Sequence, residues 1–156
     1  MTILDRMDQR ILNELQSDGR LSNVELSNRI GLSESACLRR VKNLESIGII
    51  DKYVALVEQE KVGLPNNVFV QVSLERQQEE QLKGFEKAVA DVPEVMACYF
   101  MSGDFDFLMR VAVHDATDYE RVHNLLTRLP GVARVHSSFA LRTVFKRNAL
   151  PLKTKR

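Results

Sequence analysis

What this sequence lacks narrows it before any motif is considered. It holds only two cysteines. Cys37 and Cys98 stand far apart, each inside an apolar pattern, and are expected as reduced core thiols rather than a bridge or a metal site. No apolar run reaches the length of a membrane span and the N-terminus has no apolar signal segment, so a cytoplasmic protein without membrane contact is expected. His114, His123 and His136 lack ligand spacing, and no metal is expected. There is no phosphate-binding glycine loop and no paired acid and base beside a nucleophile; neither catalysis nor a cofactor is expected. A charge excess is missing too. The net charge is +1, and residues 1–66 carry nine Lys/Arg against ten Asp/Glu. Any affinity for nucleic acid must therefore come from a local cluster and from repetition of the chain.

What is present is organised around residues 22–47. Val24, Leu26 and Ile30 give one short amphipathic segment its apolar stripe. Cys37, Val41 and Leu44, flanked by Leu38 and Ile47, give the next segment another at helical spacing. Between them, Gly31 suits the left-handed end of one helix and Ser33 the N-cap of the next. This is helix-turn-helix punctuation. The face opposite the second stripe carries Ser35, Arg39, Lys42 and Ser46, with Arg40 beside them. Hydroxyls at the helix start and cations further along suit a helix whose N-terminal half enters a groove of double-stranded DNA. The candidate DNA-contacting residues are Ser33, Ser35, Arg39, Arg40 and Lys42. Arg40 has a second reading, in which it pairs with a carboxylate and braces the helices.

An earlier helix is predicted from Asp5, a suitable N-cap, through Ile11, Leu12 and Leu15 to Ser17-Asp18-Gly19. After Gly48, residues 49–57 turn to strand-like composition and suit a wing or an arm that pairs with a second copy. A DNA-binding domain over 1–57, a polar linker over 58–67 and a second domain over 68–156 follow. In that second domain Val68, Val70, Val72 and Leu74 alternate as a strand. Leu82, Phe85 and Val89 predict a helix, and residues 95–101 and 105–113 two strands about a Gly103-Asp104 turn. Asp115 caps a helix ended by Pro130-Gly131, and Val135, Phe139, Leu141 and Phe145 predict a long last strand. The order βαββαβ is that of a ferredoxin-like domain, with both helices on one face of an antiparallel sheet. The uncovered face, expected to show Phe69, Phe100, Leu108, Ala112 and Val144, is the predicted dimer surface. A dimer would present two reading helices to half-sites about 34 Å apart.

With both halves in view, the chain resembles the Lrp/AsnC, or feast/famine, family of transcriptional regulators. The resemblance rests on Leu4-Asp5 to Asp8, Leu15 to Arg20, Gly31-Leu32-Ser33, Cys37 to Val41, Leu44-Glu45 and Gly48-Ile49-Ile50. In the second half it rests on Ser102 to Leu108, Leu129 to Val132 and Leu150-Pro151-Leu152. It covers nearly the whole chain, and the joint order of these segments is specific. One departure is Glu34, which follows Ser33 where many relatives place proline. The resemblance implies an α+β protein, an N-terminal winged helix-turn-helix followed by a βαββαβ domain of the RAM type. It implies dimers assembling into a higher oligomer, often an octamer, and a small amino acid as effector. It further implies an effector site near the turn between the second and third strands, with Met101, Gly103, Asp104 and Asp106, and with Ser137 and Ser138 from the last strand. The expected function is a sequence-specific DNA-binding transcriptional regulator whose DNA binding or assembly responds to a small amino acid. The alternative is an architectural DNA-binding protein without an effector.

Overall fold

Three helices built on local caps begin the chain in the computed structural model, which describes residues 4–152. The Asp5 carboxylate accepts from the Asp8 N–H at 2.8 Å and starts α1, Arg6–Ser17. A reciprocal Ser22–Glu25 capping box starts α2, Asn23–Ile30. That box satisfies two free donors at once, and the carboxylate suits the positive helix end. Gly31, at φ 72°, ends α2 in the left-handed conformation that only glycine adopts cheaply, and Ser33 caps α3, Glu34–Ser46. Ile11, Leu12, Leu26, Ile30, Cys37 and Leu44 are buried between these helices. Val24, Leu38 and Ile47, expected in the apolar stripes, are instead exposed.

Ile49 and Ile50 fold back against this core, their N–H groups on the Leu44 carbonyl. The Tyr53 phenol donates to Glu45 at 3.0 Å; burial and that carboxylate push its pKa up to about 12. Of residues 49–57, expected as wing or arm, 51–57 make no strand pairing among the described residues, and Val54, Leu56 and Val57 are exposed.

The larger unit is a four-stranded antiparallel sheet with two helices. Its elements are β1 (Asn66–Leu74), α4 (Glu79–Ala90), β2 (Val95–Phe100), β3 (Phe107–Val113), α5 (Ala116–Leu126) and β4 (Val132–Phe139). The strand order β2-β3-β1-β4 is that of the split βαβ arrangement. Val68, Val70, Val72 and Leu74 of β1 point to one face, where they pack with Phe85 and Val89 of α4 and Tyr119, Val122 and Leu126 of α5. Alternation at period two puts the remaining β1 side chains on the other face.

Three expectations are corrected here. Pairing of β4 with β1 runs only from Val132 to Phe139, so Leu141 and Phe145 lie beyond the sheet and are exposed. Residues 144–152 group with the first unit rather than the second, which spans Val57–Thr143. Gln16 and the Leu150 backbone exchange two hydrogen bonds, the Asn13 amide donates to the Leu152 carbonyl, and Leu152 packs against the helical core. Finally, Cys98 is exposed on the edge strand β2 rather than buried in the core. Its thiol lies near α4, where burial and Glu86 push its pKa up to about 11 and hold it in the unreactive protonated form.

Candidate nucleic-acid interface and effector region

The outward half of α3 is set by its core half. Cys37 and Leu44 are buried on one side, and at 100° per residue Ser35, Leu38, Arg39, Lys42 and Ser46 fall on the other. Arg39 and Lys42 are exposed and form no ion pair among the described residues. Ser35 lies in the first turn, 3.4 Å from the Ser33 hydroxyl, which is occupied in accepting from the Ala36 N–H. Ser33 thus acts as a cap, and its hydroxyl is shared with that role.

Arg40 takes its second reading. It points from α3 to the start of α1 and donates to Asp5 at 2.6 Å and Asp8 at 2.8 Å. The Asp5 carboxyl is held below its ordinary pKa, chiefly by the Asp8 N–H and further by Arg40; the Arg40 pKa is raised by both carboxylates. Engaged by two carboxylates there, Arg40 is a brace between α1 and α3. Its partners lie 35 and 32 residues away, beyond the reach of a helical-spacing argument.

In the larger unit the β2–β3 connection runs from Met101 to Asp106. The Met101 N–H donates to the Asp106 carbonyl, and the Asp106 N–H to Val72. Gly103 sits at φ 134°, a conformation that favours glycine, with open space where a side chain would stand. Asp104 is exposed at this bend. Asp106 differs from what was expected. It is 4% exposed, and its carboxylate accepts from the Leu74 N–H at 2.7 Å and the Gln77 amide at 2.6 Å. Each carboxylate oxygen thus already accepts one hydrogen bond, and Asp106 ties the connection to the end of β1 and to Gln77. Gln77 was missed because it sits in a polar run with no periodic signal.

Ser137 and Ser138 point to opposite faces of the sheet. Ser137 faces the helices and shares a hydrogen bond with the Tyr119 phenol, whereas Ser138 is exposed opposite Phe69. They lie two strands across from β3, roughly 10 Å at normal strand spacing, and several residues along from the Gly103 bend. One chain therefore brings together Met101, Gly103 and Asp104 but not the two serines. The uncovered sheet face shows Phe69, Tyr99 and Leu108 beside Gln71, Arg110, Arg134 and His136. Phe100 instead turns to the helix side against Phe107, Ala112 is buried, and Val144 is outside the sheet. No group of three or more metal-ligating side chains occurs among the described residues, and no helix there is long and apolar enough to cross a membrane.

A capped helix-turn-helix with two free cations, followed by a split βαβ domain, defines a two-domain DNA-binding regulator. The comparisons agree in both halves. Residues 4–51 match the winged helix-turn-helix DNA-binding family model, and residues 67–150 match the Lrp/AsnC ligand binding domain. The chain belongs to the Lrp/AsnC family of transcriptional regulators. It is 44% identical over 153 residues to the Bkd operon transcriptional regulator of Pseudomonas aeruginosa, covering 97% of this chain and 100% of that one. It is 42% identical to the leucine-responsive regulatory protein of Escherichia coli, covering 97% and 93%. Among solved structures, a transcriptional regulator of Neisseria meningitidis in complex with L-Met superposes with TM-score 0.90 at 39% identity, covering 96% of this chain and 97% of that one. An AsnC family regulator of Agrobacterium tumefaciens gives 0.92 at 36% identity, with the same coverage.

Proposed function

We propose that this chain controls transcription by binding specific double-stranded DNA sites as a homodimer within a larger ring, such as an octamer, and that a small amino acid adjusts this binding. The observation that carries the DNA half is the outward face of α3, where Arg39 and Lys42 project unpaired from a helix capped at its groove-entering end. The amino-acid half is supported by the match to the ligand-binding family model and by the L-Met complex of the Neisseria relative. The protein works in the cytoplasm, needs neither metal nor cofactor, and performs no catalysis.

Assembly follows from the charge balance. One α3 neutralises few phosphates, so a single copy binds weakly. Two copies paired through the open face bearing Phe69, Tyr99 and Leu108 double those contacts and set two half-sites one helical turn apart. The effector then lies between copies at the Met101–Asp104 bend. A preference of about 1–3 kcal/mol for one DNA-competent arrangement is enough to change occupancy several-fold or more.

The test is a gel-shift titration of a duplex selected from a random pool, repeated with each of a panel of L-amino acids. A several-fold shift with one or two of them, matched by a rise in melting temperature, is expected. DNA binding that no amino acid alters would favour the architectural reading.

A further inference from the structure

Leu38 is the one apolar side chain on the outward half of α3 among the described residues. The sequence pattern would have it flank the buried stripe; it is 42% exposed instead. It precedes Lys42 by one helical turn and follows Ser35 by three residues, so the three form a single row beside Arg39. A helical side chain leans over the turn before its own Cα. Leu38 therefore covers ground toward Ser35, at the end of the helix that enters a groove. The other side chains of this half are Ser35, Arg39, Lys42, Asn43, Glu45 and Ser46. Each of them is polar, and none recognises the apolar element of the major groove. That element is the 5-methyl group of thymine, which separates T·A from C·G without any hydrogen bond.

We infer that Leu38 is a specificity-determining residue that reads a thymine methyl group in each half-site. The inference deepens the DNA-binding reading and rests on it. Contact removes both apolar surfaces from water, which explains why an exposed leucine stands in a row otherwise polar. The expected size is that of one methyl-sized apolar contact, about fourfold in affinity per half-site.

The experiment uses the full-length protein and a duplex that it enriches from a random pool. Each thymine of that duplex is replaced in turn by deoxyuridine, which removes the methyl group and keeps the base pair. The wild-type protein is expected to lose about fourfold at one position per half-site. Leu38→Ala, which removes the contact in both half-sites, should bind the parent duplex about sixteenfold weaker and ignore deoxyuridine at that position alone. Leu38→Met, which keeps the apolar contact, should restore the dependence. Circular dichroism melting checks that both variants fold. A Leu38→Ala protein with unchanged affinity, or one that still responds to every deoxyuridine as wild type does, would overturn the assignment. A pool that yields no enriched duplex would overturn the DNA-binding reading as well, so the two failures are told apart.

Discussion

The two units of this chain are stabilised in different ways. The effector unit buries fourteen side chains, most of them large and apolar, between one sheet face and two helices. Among the described residues, the DNA-reading unit buries six apolar side chains between its three helices and adds an Asp5–Arg40–Asp8 brace, an Arg29–Glu14 pair and the returning 150–152 segment. Small cores leave little margin, because the buried fraction of surface falls with size. The difference teaches that the reader supplements a small core with ion pairs and a returning segment, whereas the effector unit adds pairs such as Arg121–Glu94 to a core already large.

The contrast can be broken first at the larger core. Phe85→Ala removes a fully buried ring stacked 4.5 Å from Phe107 and is expected to cost about 3–5 kcal/mol. Calorimetry should show the loss in the effector unit; an unchanged melting profile would mean that the core is not where the stability lies. Next, deleting residues 150–152 should lower the stability of the helical unit by about 1–2 kcal/mol, the worth of one partly buried leucine and its hydrogen bonds. Hydrogen exchange confined to α1 would locate that loss.

A finer cut separates neighbouring arginines. Arg40→Ala should cost about 0.5–1 kcal/mol of stability, because Arg40 and Asp5 stay partly exposed and solvent screens the pair. Arg39→Ala should leave stability alone, weaken DNA binding and reduce its salt slope by about one. The reverse pattern in melting and gel-shift data would exchange their roles. The smallest effect is acidic. Asp5 has a folded-state pKa below its usual 3.8, so the native state binds fewer protons. Its contribution is complete above 3.8 and is lost as pH falls through the lower folded value. Asp5→Asn should flatten the acid limb of the stability curve, as measured by urea melts across pH.

Local chemistry was legible in the sequence, and distant chemistry was not. Asp5, Gly31, Ser33 and Asp115 announced helix ends because a cap acts on residues within one turn. The alternation of β1 announced its buried face for the same reason. Strand β4 misled, since its pattern continues to Phe145 while its only partner, β1, ends at Asn66. Where pairing stops, alternation has no consequence. Arg40 and Asp106 hide their partners in a different way: each is bonded by groups about thirty residues away, Asp5 and Asp8 in one case, Leu74 and Gln77 in the other. Leu38 shows the opposite lesson, a leucine at an apparently buried spacing that the structure leaves in solvent.

The returning 150–152 segment also bears on the order of synthesis. A ribosome releases α1 to α3 first, yet the leucine that finishes their packing emerges only after every strand of the effector sheet. An incomplete translation product would thus carry a helix trio with one flank uncovered, and a DNA reader in its final form arrives only together with its sensor.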